Sequence, residues 1–221
     1  VESNGGLIID GRDHDINGNF LPGQGTFAVW TTGSYTRNGN SKIGGTYSSV
    51  DYAPSKPGNS NVKATGQSYP GGYPDSPDKV LGGSANGYPE GTLKSLAQSG
   101  ANGSQYVTDP NYLTFPLKAV TYVELPDNGT WQSTDINGEG ILIVHNSGLN
   151  AKMKNLNTGT FKGLLIADDV IHIHSDIIGA VVSLSPSPSA GNSIGNGNGR
   201  ILYSKEAIET GTATTLSNTA T

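Results

Sequence analysis

The chain has 221 residues, of which 32 are glycine and only 14% are charged, and it carries a formal net charge of −5 with no cysteine. A negative chain without a basic cluster is not expected to bind nucleic acid, and a chain without cysteine forms neither disulfides nor thiolate metal sites. The apolar runs are far shorter than the roughly 20 residues that cross a bilayer. Because glycine, Asn, Ser and Thr all disfavour helices, the composition favours a turn-rich β architecture.

The first β signals lie in residues 5–45. Leu7–Ile9 and Phe27–Trp30 are short apolar runs, and the tight-turn dipeptide Asn38-Gly39 lies between Tyr35 and Ile43. This pattern predicts short strands joined by turns.

Residues 46–117 lack this pattern and predict an irregular excursion rich in Tyr, Pro and Gly. The segment is too long for an ordinary loop, so we expect it to lie along the side of the β core. One short helix is predicted inside it, from Glu90 to Gln98, since Pro89 precedes it and Gly100 follows it.

From residue 120 the sequence repeats itself. Gly140, Gly163 and Gly179 each precede a short apolar run, and Lys152–Lys154 and Val170–His174 lie between these runs. Run starts spaced by about 16 to 23 residues are typical of stacked β coils. After Leu184 come the Pro-Ser segment Ser185–Ser189 and a Gly-Asn run through Gly199. The sequence therefore predicts one all-β domain over residues 1–208, a right-handed β-helix or solenoid, followed by a Thr-rich tail at 209–221 with little to bury.

The phase of two coils can be predicted from the alternation of side chains along a strand. Ile171 and Ile173 should point inward and His172 and His174 outward. Aligning Phe161 with Ile177 places Met153 inside the stack, next to Ile173.

Residues 13–19 resemble the first half of a calcium loop. Asp13, Asp15 and Asn17 offer oxygens at alternate positions, Gly18 allows the turn, and Asn19 would contribute its backbone oxygen. The twelfth position is Gln24 where an EF-hand has Glu. The alternative interpretation is an Asx-rich turn held by its own side chains.

Other candidate sites are weaker. His172 and His174 could share a metal ion, or they could belong to a solvated strand face. His145 is expected near Asp168 in the neighbouring coil. Asp168 and Asp169 are a poor glycosidase pair, because adjacent strand residues point to opposite faces, and we do not predict an enzyme. Tyr69, Tyr73 and Tyr88 could stack on sugars or on a neighbouring subunit, or they could cover the coil.

The phrases LIIDGRDHDINGN, GLLIADDVIHIHSDIIGAVV and GRILYSKEAI are similar to the β-helical region of PilX-like pilus assembly proteins, relatives of minor type IV pilins. The resemblance covers most of residues 5–208, without the N-terminal pilin helix of that family. It implies an extracellular or cell-surface structural protein, a subunit or decoration of a pilus-like filament with a role in adhesion, whose partners are copies of itself or filament neighbours. The tail at 209–221 is expected to contact a neighbouring subunit. A polysaccharide-binding module or β-helical carbohydrate-active enzyme is the alternative, with surface glycans as ligands.

Overall fold

The computed structural model describes residues 1–132, 135–188 and 194–219, and most of its regular structure is β-strand. The strands are β1 (Glu2–Gly5), β2 (Ile8–Asp10), β3 (Val29–Trp30), β4 (Thr36–Arg37), β5 (Lys42–Tyr47), β6 (Val50–Ser55), β7 (Lys63–Ala64), β8 (Gln105–Val107), β9 (Val120–Glu124), β10 (Thr130–Gln132), β11 (Gly138–His145), β12 (Lys152–Lys154), β13 (Thr160–Ala167), β14 (Asp169–His172), β15 (Asp176–Ser183), β16 (Ile194–Gly197) and β17 (Arg200–Tyr203).

The helices are α1 (Pro77–Val80), α2 (Thr92–Ser99) and α3 (Lys205–Thr219), with short 3-10 turns at Ser60–Val62, Gly83–Asn86, Ala101–Gly103 and Pro110–Tyr112. None of the helices in the described part of the chain combines the length and the apolar character that a membrane crossing requires.

The described strands form two large sheets and one small one. The nine-stranded sheet has the order β6-β5-β2-β17-β15-β13-β11-β9-β8, and the six-stranded sheet has the order β10-β12-β14-β16-β1-β4. The third sheet pairs β3 with β7. Neighbouring strands run parallel, except that β6 is antiparallel to β5. From β9 to β17 the chain passes alternately through the two large sheets, so that each strand lies beside the next strand but one.

The N-terminal strands continue this order beyond the C-terminal ones. Asn4 of β1 pairs with Asn196 of β16, and Ile9 of β2 pairs with Ile201 of β17. Strands β4 and β5 then follow at the outer side of β1 and β2. The sequence predicted strands in residues 5–45 but not this order.

Strands β11 and β13 are buried on both faces. Leu142 and Leu165 lie in one core cluster with Met153 of β12 and with Leu156, which follows β12 in the chain. Ile141, Ile143, Leu164 and Ile166 lie in a second cluster, which Tyr88, Leu93 and Ala97 cover from the excursion. Burial on both faces explains why the sequence of these strands is a continuous apolar run instead of an alternating one.

The three repeated glycines form a ladder across β11, β13 and β15. Gly140 pairs with Gly163, and Gly163 pairs with Gly179, in the same register that pairs Phe161 with Ile177 as predicted. Their φ angles are +107°, +138° and +144°, a region that favours glycine. A methyl group on Gly163 would overlap the carbonyl oxygen of Gly140, and one on Gly179 would overlap that of Gly163.

Two details of the predicted phase are wrong. Met153 is fully buried, but it pairs with Val170 and with Trp131, whereas Ile173 bridges to Leu156. Ile173 is fully buried as predicted. Ile171 was also expected to point inward, but it is only half-buried, and Val170 is fully buried instead. Burial along β14 does not alternate, because Asp169 and Val170 are both buried and Ile171 and His172 are both half-buried.

The excursion lies against the β core, and it contains more structure than the sequence indicated. Helix α2 confirms the predicted helix with its start shifted to Thr92, and it contacts β8 and β9 through the face that carries Leu93 and Ala97. Strand β5 extends into the predicted excursion, and β6, β7, β8, α1 and the 3-10 turns lie within it.

The Thr-rich tail is not an irregular extension, because its residues through Thr219 belong to helix α3. This helix contacts β11, β13 and β15 of its own chain, and Gly211 lies against Gly140. Ala207, Gly211 and Thr215 are buried and lie four residues apart on one face. The expectation that a neighbouring subunit holds this tail therefore loses its basis. Residues 220 and 221, and residues 189–193 within the Pro-Ser segment and the Gly-Asn run, lie outside the described residues.

We predict that Gly163→Ala destabilises the protein by at least about 3 kcal/mol, because strain at positive φ adds to overlap with a backbone oxygen. Gly66→Ala is the control, since Gly66 also has a positive φ but faces open space, and it should cost only about 1–2 kcal/mol. Urea unfolding followed by circular dichroism measures both. Equal losses in the two variants would contradict the close approach of the strands at Gly163.

Candidate functional site

In the loop at residues 13–19, Asp15 uses both carboxylate oxygens to hold the loop itself, whereas Asn17 Oδ1 accepts from Lys162 Nζ at 3.3 Å. Asp15 Oδ1 accepts hydrogen bonds from the backbone nitrogens of Asn17 and Asn19, both at 2.9 Å, and Asp15 Oδ2 accepts one from Asn19 Nδ2 at 2.9 Å. These hydrogen bonds, chiefly those from Asn19, lower the pKa of Asp15. The geometry is that of an Asx turn.

Asp13 is buried and faces away from this turn. Its Oδ1 accepts hydrogen bonds from the backbone nitrogens of His14 at 3.0 Å and of Lys205 at 3.1 Å. Lys205 is the first residue of α3, so Asp13 satisfies a free N–H group at the start of that helix. The loop thus brings Asp15, Asn17 and Asn19 together around a turn, and it directs Asp13 to α3. The calcium site stays a prediction, and the contacts favour the Asx-turn interpretation.

A second hydrogen bond joins the same loop to α3. The backbone nitrogen of Ile16 donates to Glu206 Oε2 at 2.8 Å. The hydroxyl of Ser204 accepts from the backbone nitrogen of Ala207 at 3.1 Å and caps the helix from its own chain segment. The loop is therefore part of the attachment of α3 to the sheets.

A buried charged group lies next to this loop. The Asp10 carboxylate contacts Arg12 Nη2 at 2.8 Å and His14 Nε2 at 3.4 Å, and His14 Nδ1 lies 3.0 Å from the carbonyl oxygen of Tyr203. Desolvation opposes the charged form of His14, but the contacts with Asp10 and Tyr203 outweigh it and raise the histidine's pKa. Desolvation likewise opposes the charge on Asp10, and hydrogen bonds from His14 and Arg12 lower its pKa overall. Sequence reasoning missed this group, although the alternation of Asp10, Arg12 and His14 was a usable signal.

His172 and His174 lie close together but are engaged separately. Their ring centroids are 6.2 Å apart. His172 Nδ1 lies 2.6 Å from Asn155 Oδ1, and His174 Nδ1 accepts from the backbone nitrogen of Asn198 at 3.3 Å. Burial, together with the charge of Lys154, lowers the pKa of His172. Within residues 1–132, 135–188 and 194–219, no three His, Asp or Glu side chains are grouped so that they could hold a metal ion. A metal shared by these two histidines stays a prediction.

His145 lies beside Asp168, as the alignment of coils indicated. His145 Nδ1 is 2.7 Å from Asp168 Oδ1, and Asp168 is fully buried. Asp168 Oδ2 accepts from the backbone nitrogens of Asn146 at 2.9 Å and Ala151 at 3.1 Å. All these contacts hold the turn between β11 and β12, so the pair has a structural use.

The three predicted binding tyrosines do not form one surface. Tyr88 is buried, and its hydroxyl lies 2.5 Å from Thr215 Oγ1 of α3, which favours the interpretation that it covers the coil. Ligand binding by Tyr88 stays a prediction. Tyr73 is 41% exposed, and its hydroxyl donates to the carbonyl oxygen of Ser183 at 2.6 Å. Tyr69 is 40% exposed and meets Trp30 edge to face, with ring centroids 5.7 Å apart. Of the three tyrosines, only Tyr69 belongs to a pair of accessible rings.

A cleft of about 380 Å³ lies beside β10, the last strand of the six-stranded sheet. Its walls are Asp109, Pro110, Asn111, Leu113 and Phe115 on one side and Thr130, Trp131, Gln132 and Asp135 on the other. Phe115 is 42% exposed, and Tyr112 in the same segment is 79% exposed. The sequence did not indicate this cleft, because its two walls come from segments that the pattern assigned to different parts of the chain.

Comparison with known proteins identifies no relative of this chain: no protein family, no curated protein and no solved structure matches it. The resemblance to PilX-like proteins therefore remains a prediction from the residues alone.

We predict that His14 titrates at a higher pH than His172, because contacts with Asp10 and Tyr203 hold a proton on His14 while burial opposes one on His172. NMR titration of the imidazole carbons measures both midpoints. A raised folded pKa adds stability that is complete below the unfolded pKa, near 6.5, and is lost as the pH rises through the folded value. The free energy of unfolding should therefore decrease above about pH 6.5. His14→Gln should abolish the contribution of His14 to this decrease. A His14 midpoint at or below that of His172 would contradict the buried contacts.

We predict that Asp13→Ala lowers the free energy of unfolding by about 1–3 kcal/mol, because it leaves the backbone nitrogens of His14 and Lys205 without their acceptor. Asp13→Asn keeps an acceptor oxygen and should lose less. Thermal unfolding with added calcium and with chelator tests the alternative. If calcium raises the melting temperature of the unsubstituted protein and Asp13→Asn removes that effect, the loop is a calcium site and the Asx-turn interpretation is wrong.

Proposed function

We propose that this chain is a structural protein of the cell exterior, built as a right-handed β-solenoid, and that it forms or decorates a pilus-like surface filament. The observation that carries the proposal is the in-register stack of β11, β13 and β15, with the matching strands β12 and β14 beside them. Passage of the chain from one parallel sheet to the other at each step is how a solenoid is built.

The interior of this stack supports a scaffold more than a reaction centre. The core cluster between the two large sheets is apolar and includes Leu142, Leu165, Met153 and Leu156. The buried polar groups Asp13, Asp168 and His14 are used by contacts within the fold. The PilX-like phrases support a location on the cell exterior and a role in adhesion.

Polysaccharide binding is the second candidate, and the exposed ring pair of Trp30 and Tyr69 favours it. Exposed aromatic faces stack on sugar rings, and hydroxyl or amide groups beside them add hydrogen bonds. Glycan-array binding that Trp30→Ser abolishes would support this candidate.

We expect the purified protein to form rods or filaments whose length increases with concentration. Negative-stain microscopy combined with sedimentation velocity at several concentrations measures this. Uniform particles of monomer size at every concentration would contradict a filament subunit.

A further inference from the structure

The cleft beside β10 has one wall that hydrogen bonds hold in place. This wall consists of residues 109–115. Gln105 of β8 fixes its far part, because Gln105 Nε2 donates to the carbonyl oxygen of Thr114 at 2.8 Å and Gln105 Oε1 accepts from the backbone nitrogen of Thr114 at 2.7 Å. Asp109 fixes the near part, since its Oδ1 accepts from the backbone nitrogen of Asn111 at 2.9 Å. A wall that is already ordered loses little entropy when a ligand binds.

The opposite wall is strand β10. Trp131 points into the core together with Met153, its ladder partner on β12. Thr130 and Gln132 flank Trp131 and therefore point to the outer face of the sheet, where both are exposed. Because the strand fixes their spacing, these two side chains present their polar groups from defined positions.

The cleft offers polar groups that the fold itself does not use. Among the residues that the structure describes, the side-chain amides of Asn111 and Gln132 make no hydrogen bond, and Asp109 Oδ2 accepts none. Each amide carries two donor hydrogens and one acceptor oxygen, and the carboxylate oxygen is a further acceptor. Hydroxyl groups both donate and accept, so a ligand with several hydroxyl groups can use all three side chains.

An accessible ring lies beside these groups. Phe115 is 42% exposed and lines the cleft, and Pro110 and Leu113 add apolar surface to the same wall. An exposed aromatic face packs against the C–H groups of a sugar ring. The cleft therefore suits a ligand that has hydroxyl groups at its edge and an apolar face.

The charges around the cleft offset each other. Asp109 and Asp135 line the cleft, while Lys152 and Lys154 of β12 lie on the outer face of the sheet, in register with the two outward residues of β10. Positive and negative groups in equal number favour neither a cationic nor an anionic ligand. A neutral ligand fits this arrangement.

We propose that this cleft binds a short neutral oligosaccharide. Its volume of about 380 Å³ lies within the range of small-ligand sites, roughly 300–1,000 Å³. Phe115 stacks on one sugar ring, and Asn111 and Gln132 form hydrogen bonds with its hydroxyl groups. The free oxygen of Asp109 accepts from a further hydroxyl. The inference goes beyond the filament function, because the cleft lies within one molecule and does not depend on assembly.

Two cleft variants and one matched control test the proposal. Phe115→Leu removes the stacking ring but keeps an apolar side chain, and Gln132→Leu removes the amide at nearly constant size. Tyr112→Leu is the control, since Tyr112 lies in the same wall segment and is 79% exposed but does not line the cleft. Circular dichroism and thermal unfolding check that each variant folds, and either cleft variant alone decides the question if the other does not.

The ligands to be tested are the neutral trisaccharides cellotriose, maltotriose, mannotriose and N-acetylated chitotriose. Deacetylated chitotriose is the cationic counterpart, and sialyllactose is the anionic one. NMR titration measures each dissociation constant. We expect at least one neutral trisaccharide to bind, and we expect neither charged sugar to bind more tightly. Each cleft variant should weaken this binding at least about tenfold, because it removes a stacking or hydrogen-bonding contact. Tyr112→Leu should leave the dissociation constant unchanged.

Several results would overturn the assignment. If no neutral trisaccharide binds at millimolar concentration, the cleft is not a glycan site. If Trp30→Ser abolishes binding and the cleft variants do not, the sugar binds at the exposed pair of Trp30 and Tyr69 instead. If only the cationic trisaccharide binds, the carboxylates determine the affinity and the assignment to neutral sugars is wrong. Assembly is measured separately, so sugar binding by uniform monomers would support the cleft and contradict the filament function.

Discussion

The close parallel approach of β11, β13 and β15 at Gly140, Gly163 and Gly179 is the constraint on which the rest of the fold depends. A side chain at these positions would overlap the carbonyl oxygen of the preceding strand. The same three strands carry the docking surface of α3, and Gly211 of that helix lies against Gly140. The glycines therefore serve two packing contacts at once, strand against strand and helix against sheet. The loop at residues 13–19 then fixes the start of the helix through Asp13.

The parts of this fold that the sequence predicted are those whose local pattern and tertiary role agree. The apolar runs after Gly140 and Gly163 are continuous because these strands are buried on both faces, and proline and glycine bounded α2. Helix α3 was missed because Ala207, Gly211 and Thr215, the residues described as buried on it, are small and give no apolar periodicity. Such a helix is stabilised by contact with the sheet and by the caps at Ser204 and Asp13, not by intrinsic propensity.

Among the candidate sites, too, some contacts could be predicted from the sequence and others could not. The proximity of His145 and Asp168 followed from coil alignment, because strand register is regular at that point. The pairing of Met153 with Ile173 did not follow, because Met153 pairs with Val170 and Leu156 pairs with Ile173, so Ile173 lies three residues beyond the partner of Met153. The cleft beside β10 could not be predicted at all, because nothing local indicates that Asp109–Phe115 faces Thr130–Gln132.

Insertion of the N-terminal strands beside the C-terminal ones has a consequence for biogenesis. Asn4 cannot pair until Asn196 has been made, and Ile9 cannot pair until Ile201 has been made. During synthesis the first strands therefore have no template until nearly all of these residues are present, and pairing over such a distance along the chain is slow. A protein exported as it is synthesised can remain extended for that period, whereas one kept inside the cell would need protection for its unpaired β1 and β2 edges. The order of strands thus makes the pairing of β1 and β2 wait for the synthesis of β16 and β17.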